Sequence, residues 1–364
     1  MTHRKRILIS GYYGFSNAGD EAVLSMIVSG LREESGGSID ISVLSASPAE
    51  TASTYGVDAV PRMSPKYVMA ALSECDLLIS GGGSLLQDAT SLKSLMYYLT
   101  VIRMAQIKQK KVMILGQGIG PLKRWISRRT VADVLNHVDC ITVRDPQSAE
   151  LLVKIGVKKP EITITADSTL LLEPSPVEEV DSLLTETGLA PDTDIIAVSL
   201  RGWDAAPGLI DEMIVALEKL SLRISARILF INMHMPGDKH ISERAKENIW
   251  SAVVQPRIWT AQQLVGVLGR CRLVIGMRLH ALILAAAAGT PSIGIAYDPK
   301  VEQFCLSAGQ DCISLKDVIA GHLLEKVTKA WERQDESALS IAEKLPAMRE
   351  AAKQNIIKAL EVLG

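Results

Sequence analysis

The sequence predicts an α/β protein of two Rossmann-like domains with a central cleft between them. Three observations predict it. Apolar runs recur along the chain, most of them closed by glycine and followed by a helical pattern. The runs are apolar throughout rather than alternating, which suits strands of a parallel sheet covered on both faces. The alternation stops at Leu171–Pro176 and restarts beyond it, in a chain of 364 residues, a length that favours two domains.

The elements follow in order. Arg6–Ser10 leads into Gly11 and a helix over Asp20–Leu31, and Ile39–Leu44 is a second strand. Asp76–Ser80 leads into Gly81-Gly82-Gly83 and a helix over Leu92–Ile107. Lys111–Gly116 leads into Gln117-Gly118-Ile119-Gly120-Pro121, and Cys140–Arg144 into a helix over Ser148–Ile155. Pro174 and Pro176 then end regular structure. Beyond them, strands are expected at Ile195–Leu200, Arg227–Asn232, Leu273–Ile275 and Ser292–Ala296, with helices at Asp211–Leu220 and Leu279–Ala288. The domains are therefore read as 1–172 and 179–337 around a linker at 173–178. A last helix, 338–364, is placed to pack back on the N-terminal domain. Right-handed crossovers would put ligands at the carboxyl ends of the strands, facing the cleft.

Composition sets outer bounds. The chain is 48% hydrophobic and 22% charged, with a net charge of −2. No global basic field draws it to nucleic acid, and 4% aromatic residues argue against base-stacking platforms. The five cysteines contain no C-x-x-C pair and read as reduced thiols of a cytoplasmic protein. No metal site is expected, since His234 and His240 flank a loop with no evident third ligand. No stretch reaches the length of a membrane span, and the first residues lack a signal-peptide core. Peripheral contact with the inner face of the cell membrane stays open, through Arg124-Trp125-Ile126-Ser127-Arg128-Arg129, whose plainer reading is a solvated helix face.

The most informative segment is Gly276-Met277-Arg278-Leu279-His280. An Arg and a His leave an apolar strand and enter the first turn of an Ala-rich helix. Helix-start N–H groups favour an anion, the Arg fork suits carboxylate or phosphate, and the His can move a proton. A small anionic substrate beside an acid or base is the chemistry this pattern fits. Gly11, Gly14 and Gly19 are not spaced as G-x-G-x-x-G, so a dinucleotide is not expected. No cofactor is expected at all.

An ordered set of segments carries a resemblance: Gly11-Tyr12-Tyr13-Gly14-Phe15-Ser16-Asn17-Ala18-Gly19-Asp20-Glu21, Gly81-Gly82-Gly83-Ser84-Leu85-Leu86-Gln87-Asp88, Gly116-Gln117-Gly118-Ile119-Gly120-Pro121, Arg144-Asp145-Pro146, Arg278-Leu279-His280 and Tyr297-Asp298-Pro299-Lys300-Val301. The chain resembles the polysaccharide pyruvyl transferases, most closely those of the bacterial cell-wall type. The resemblance implies a GT-B-like pair of domains and a ketal-forming reaction. The donor would be phosphoenolpyruvate. The acceptor would be a lipid- or nucleotide-diphosphate-linked disaccharide ending in N-acetylmannosamine, whose polymer anchors S-layer proteins.

Under that reading Arg278 is the leading donor ligand and Lys300 a point charge for the phosphate. Arg144 and Arg201 leave strand ends where each could face the donor across the cleft or form a salt bridge closing the domain interface. His280 is the acid–base candidate. Asp20 and Glu21 are candidate bases for the acceptor hydroxyl, although acids there also suit a helix start, and Asp88 is a weaker candidate. Gly82, Gly83 and Gly118 would let the acceptor's diphosphate approach backbone amides, or simply allow tight turns. Trp203 is a candidate for stacking on a sugar or uracil ring. Two other classes stay open: a glycosyltransferase using a nucleotide-sugar donor, and a non-catalytic carbohydrate binder.

Overall fold

The structure, a computed structural model, describes residues 4–190, 192–202, 208–319 and 321–364. They group into two units, Met1–Leu171 with Met348–Gly364, and Leu172–Ala347.

The first unit runs β1 (Lys5–Ser10), α1 (Ala18–Glu34), β2 (Ile39–Ser45), α2 (Pro48–Tyr55), β3 (Asp58–Pro61), α3 (Pro65–Glu74), β4 (Leu77–Gly81), α4 (Leu92–Ile107), β5 (Lys111–Gln117), α5 (Trp125–Leu135), β6 (Cys140–Val143), α6 (Pro146–Ile155) and β7 (Ile162–Ile164). Its sheet is parallel, in the order β3-β2-β1-β4-β5-β6-β7. Alternate residues of each apolar strand serve opposite faces, as the two-residue period requires. Leu8, Leu78, Val112 and Ile114 pack with α3, α4, α5 and α6 through Leu72, Leu95, Val131 and Leu152. Ile7, Ile9, Ile79 and Met113 pack instead with Ile27 and Val28 of α1. Ser10 stands in register with Ser80, so the loops after β1 and β4 begin level. The strand order reverses between these two strands, and such a point is where open parallel sheets hold ligands.

The second unit contains α7 (Val177–Glu186), β8 (Ile195–Ser199), α8 (Leu209–Arg223), β9 (Arg227–Phe230), α9 (Lys239–Asn248), β10 (Ala252–Val254), α10 (Ala261–Gly269), β11 (Leu273–Gly276), α11 (Leu279–Ala287), β12 (Ser292–Ala296), α12 (Pro299–Ala308), β13 (Asp311–Ser314), α13 (Leu315–Ile319) and α14 (Leu323–Glu332). Its parallel sheet is ordered β10-β9-β8-β11-β12-β13, reversing between β8 and β11. Ile196, Val198, Phe230 and Ile275 form its core with Met213 and Leu217 of α8 and Val327 of α14.

The last helix, α15 (Gln334–Leu363), begins in the second unit, and its residues from Met348 belong to the first. There Ile356 and Ala359 complete the core beneath α1. Asn355 is fully buried among them. Its Oδ1 accepts from the Thr142 and Thr165 hydroxyls at 2.7 and 2.8 Å, and its Nδ2 donates to the Ala166 carbonyl at 2.9 Å. Every polar atom of this side chain is thereby satisfied, as a buried amide requires.

The apolar runs mark the strands of both sheet centres. They do not mark α2, β3 or α3. β3 is a four-residue edge strand whose side chains are all partly or fully exposed, so it carries no apolar run. The signal present there is capping grammar: Ser47-Pro48 and Ser64-Pro65 each open a helix with proline in its first turn.

Candidate functional sites at the strand ends

In the first unit the loop Gly11–Asn17 is held from three sides. Gly14 adopts φ +78°, and a Cβ there would sit 2.3 Å from Ser45 Oγ, so only glycine fits. Its N–H donates to Glu21 Oε1 at 2.8 Å, and the Tyr55 hydroxyl donates to Glu21 Oε2 at 2.8 Å. Burial pushes the Glu21 carboxyl up, against the opposing pull of the Gly14 N–H and Tyr55. Both oxygens of Glu21 are thus engaged in bracing the loop. Asn17 caps α1, accepting from the Gly19 N–H at 3.1 Å.

Asp20 faces the triple glycine. Gly83 has φ +65°, and a Cβ on it would lie 2.7 Å from Asp20 Oδ1. Gly82, also at φ +65°, has its Cβ direction blocked by Val23 Cγ1 at 1.9 Å. The Gly118 N–H donates to the Gly83 carbonyl at 2.9 Å, tying the loops after β4 and β5 together. Gly118 in turn makes room for Arg144, whose Nε and Nη2 lie 3.0 Å from where its Cβ would be.

Arg144 and Asp88 have partners that the sequence does not reveal. The Arg144 side chain is 6% exposed and pairs with Asp167 Oδ2 at 2.8 Å, while its Nη2 donates to Ser84 Oγ at 3.1 Å. Arg144 does form a salt bridge, but within the first unit and not the interface bridge that the sequence suggested. Asp88 is 5% exposed and accepts from the backbone N–H groups of Lys123 and Arg124 at 2.6 and 2.9 Å. Burial pushes its carboxyl up, but those N–H groups outweigh burial and leave it below the usual carboxylate range. Asp88 therefore pins the loop ahead of α5.

Arg62, just past the end of β3, is a residue that the sequence patterns do not single out. It is 8% exposed, yet among the described residues it has no carboxylate partner. Its Nη1 donates to the Gly11 carbonyl at 2.9 Å and its Nη2 to the Tyr98 hydroxyl at 3.3 Å. Its guanidinium carbon lies 4.4 Å from the Tyr97 ring centre and 5.0 Å from that of Phe15. Phe15 stacks on Tyr12 at 4.2 Å. Three segments far apart in sequence thus build one cation–π cluster around the glycine-rich loop, with the rings substituting for a counter-ion.

The second unit concentrates charge instead. Arg278 is the N-cap of α11, directly after β11. Its Nε donates to Asp238 Oδ2 at 3.0 Å, and its Nη2 meets Asp238 Oδ1, a bidentate pair. Arg278 is 18% exposed and Asp238 2%. Asp238 also accepts from the His234 N–H at 3.0 Å. Arg278 is thus paired with an acid supplied by the loop after β9. His280 is half-buried, two residues into α11.

Arg201 follows β8, and its Nη1 donates to the Tyr297 hydroxyl at 3.0 Å. Asp298 caps α12, accepting from the Lys300 N–H at 3.1 Å, and the Lys300 ammonium lies 3.3 Å from Asp298 Oδ2. His234, read from sequence as part of a surface loop, stands in the field of this group. Burial lowers its pKa, and Arg278 and Arg201 lower it further against the pull of Asp238. Its pKa thus lies below the ordinary histidine value.

The structure therefore brings Arg201, His234, Arg278 and Lys300 to the carboxyl ends of four neighbouring strands, on both sides of the β8/β11 reversal. It brings Asp20, Glu21, Gly82, Gly83, Gly118 and Arg144 to the equivalent end of the other sheet. Trp203 lies outside the described residues. Among the described residues no three His, Cys, Asp or Glu side chains are grouped as a metal site needs.

The chain is 22% identical to the amylovoran biosynthesis protein AmsJ of Erwinia amylovora, over 99% of this chain and 100% of the relative. Its fold is similar to that of S. aureus MnaA in a co-structure with UDP, with a TM-score of 0.68 at 11% identity over 98% of this chain and 96% of the other. It is also similar to a glycosyltransferase from Rickettsia africae, with a TM-score of 0.66 at 11% identity over 99% of each chain. These likenesses place the fold with the GT-B glycosyltransferases and related epimerases, built from two Rossmann-like domains. The family profile described as polysaccharide pyruvyl transferase matches residues 17–299, from the cap of α1 to the start of α12, and so takes in Asp20, Gly82, Gly83, Gly118, Arg144, Arg201, His234, Arg278 and His280, with Gly11–Ser16 and Lys300 just outside it. With that match over most of its length, the chain belongs to the polysaccharide pyruvyl transferase family, enzymes of polysaccharide biosynthesis.

Proposed function

We propose that this enzyme moves the pyruvyl group of phosphoenolpyruvate onto two hydroxyls of a sugar, forming a cyclic ketal and releasing phosphate. The observation that carries this reading is the cationic cluster of the second unit: Arg201, Arg278 and Lys300 on adjoining strand ends, with His234 at the end of the neighbouring strand. A donor with a carboxylate and a phosphate on neighbouring atoms needs several cations at once. Arg278 offers a planar fork and Lys300 a point charge, and the N-terminus of α11 adds its amide dipoles.

His280 stands on the first turn of α11 and serves as the acid. It protonates the methylene carbon of the donor, and C2 becomes a cationic centre next to the carboxylate. One sugar hydroxyl adds to C2 and returns its proton to His280. The C2–O bond to phosphate then breaks, the second hydroxyl closes the ring, and its proton leaves with the phosphate. The balance needs no external oxidant and no further base. Asp20, beside the triple glycine of the first unit, is proposed to hold a hydroxyl of the acceptor where it rests on that unit. Asp238 is a positioning residue that holds the Arg278 fork in one plane.

For the acceptor we propose a diphosphate-linked disaccharide ending in N-acetylmannosamine; its diphosphate is not received by the Gly82 and Gly118 amides, because those N–H groups donate to the Leu115 and Gly83 carbonyls at 3.0 and 2.9 Å. The test is phosphate release from phosphoenolpyruvate by the purified chain, with and without a synthetic lipid-diphosphate disaccharide, with products weighed by mass spectrometry. Acceptor-dependent phosphate and a product heavier by a pyruvyl ketal are expected. Donor binding without release would remove the acceptor. Neither binding nor release, with turnover of a nucleotide sugar instead, would overturn the donor.

A further inference from the structure

Charge is distributed unevenly along the first unit. Between Asp88 and Asp133 the chain has nine Lys and Arg residues and not one Asp or Glu, although the whole protein carries a net charge of −2. The segment between Asp58 and Glu74 likewise holds Arg62 and Lys66 and no acid. Together they supply α3, α4 and α5, which cover the same face of the sheet. Each helix starts from the carboxyl edge of the parallel sheet, so their first turns share one rim.

The two ends of this helix layer differ. At the far end the cations are occupied: Arg103 pairs with Asp133 at 2.8 Å, and Lys108 and Lys110 donate to Ser73 Oγ and its carbonyl at 2.7 and 2.8 Å. At the rim, no side chain of Lys66, Lys93, Lys123, Arg124 or Arg129 takes part in an ion pair among the described residues. The same rim presents Met63 at 77% exposure, Trp125 at 70%, Tyr67 at 54%, Ile126 at 45% and Met96 at 42%. An exposed Trp beside an exposed Ile is uncommon on a water-facing surface, where large apolar patches mark contact sites. The buried Asp88 fixes the backbone of Lys123 and Arg124, so the Trp125–Ile126 pair is presented on a firm turn.

Apolar rings set among uncompensated cations match one environment, the headgroup boundary of an anionic lipid layer. We propose that the first-turn rim of α3, α4 and α5 docks on an anionic phospholipid membrane. Trp125, Ile126, Tyr67, Met63 and Met96 enter the headgroup boundary, and Lys66, Lys93, Lys123, Arg124 and Arg129 face the lipid phosphates. The inference stands apart from the pyruvyl-transfer reading, because binding to vesicles is measured with no donor or acceptor present.

The test is co-sedimentation of the full chain with vesicles of phosphatidylglycerol and phosphatidylcholine in equal parts, against phosphatidylcholine alone. Binding to the anionic vesicles only, weakening as salt rises, is expected. The triple variant K93Q/R124Q/R129Q should bind about a hundredfold more weakly, since each such charge contributes roughly fivefold. W125A/I126S should also weaken binding while leaving the salt dependence intact. The control K154Q/K158Q/K159Q removes as much charge from the same unit, around the end of α6, and should bind like the parent chain. Thermal melting of every variant checks that it is folded. Equal binding to neutral vesicles, no binding to anionic ones, or an equal loss in the control would each overturn the proposal.

Discussion

The two sheets end in loop clusters of opposite construction. In the first unit the carboxyl ends carry glycines, rings and acids, and the buried Arg62, with no carboxylate partner among the described residues, holds the glycine-rich loop. In the second they carry three cations and two histidines, with Asp238 and Asp298 as partners. The same fold edge has been built once on glycines whose missing side chains make room for Ser45, Val23, Asp20 and Arg144, and once on charge. On the function proposed above, the charged edge takes the small polyanion and the glycine-lined edge the acceptor.

The sharpest way to break that contrast is Arg278→Ala. It leaves Asp238 buried at 2% exposure without its cation. Loss of one partner of such a pair costs about 3–5 kcal/mol. We expect a matching drop in the melting temperature and at least a hundredfold loss in kcat/KM for phosphoenolpyruvate. Arg278→Lys should restore much of the stability and little of the activity, because the fork is lost while the charge stays. Full activity in Arg278→Ala would remove the donor assignment.

Next in size is Gly82→Ala. The new Cβ meets Val23 at 1.9 Å in a backbone with φ +65°. Overpacking and left-handed strain together should cost about 2–4 kcal/mol, read in chemical denaturation. Gly83→Ala, whose Cβ meets the movable end of Asp20, should cost less in stability and more in acceptor affinity. Equal effects of the two would erase the distinction between a packing glycine and a binding one.

Glu21→Gln separates bracing from catalysis. Burial raises the Glu21 pKa, so ionising it opposes folding: its favourable contribution is full below the ordinary Glu value and is lost as pH rises through the raised one. The amide should therefore leave stability at pH 7 unchanged or slightly higher, and flatten its fall between weakly acidic and neutral pH. Retained turnover would confirm the brace; a large loss of kcat with unchanged folding would return Glu21 to the chemistry.

The smallest expected effect is that of His234→Gln, within about 0.5 kcal/mol at neutral pH. The lowered His234 pKa means that the unfolded chain binds a proton first as pH falls below about 6.5, so stability is lost on the acid side. The variant should lose less stability than the parent chain between neutral pH and pH 5. An identical pH profile would show that His234 does not feel the neighbouring cations.

Much of this is legible in the amino-acid sequence. Central strands announce themselves because both faces are buried, and Arg278, Lys300 and Arg201 stand out because each closely follows such a run. Arg62 does not, because β3 is a half-exposed edge strand with no apolar run to mark its end. Asp238 as the partner of Arg278, and Asp167 as that of Arg144, lie 40 and 23 residues away in sequence. Pairing over such separations is set by which strands adjoin, and spacing along one chain does not encode that. The capping box Thr260–Gln263 shows the converse: a local rule, fully written in the sequence, that marks the start of α10.

The passage of α15 from the second unit into the first has a consequence for the order of events during synthesis. The core beneath α1 is closed by Ile356 and Ala359, and Asn355 satisfies the hydroxyls of Thr142 and Thr165. A ribosome that has delivered all of β1 to β7 has still delivered a domain with an open floor, and the whole second unit emerges before the closing piece arrives. The N-terminal half must wait for the C-terminal half, so the two cannot be made, cut apart and kept as independent modules without carrying Met348–Gly364 across with the first.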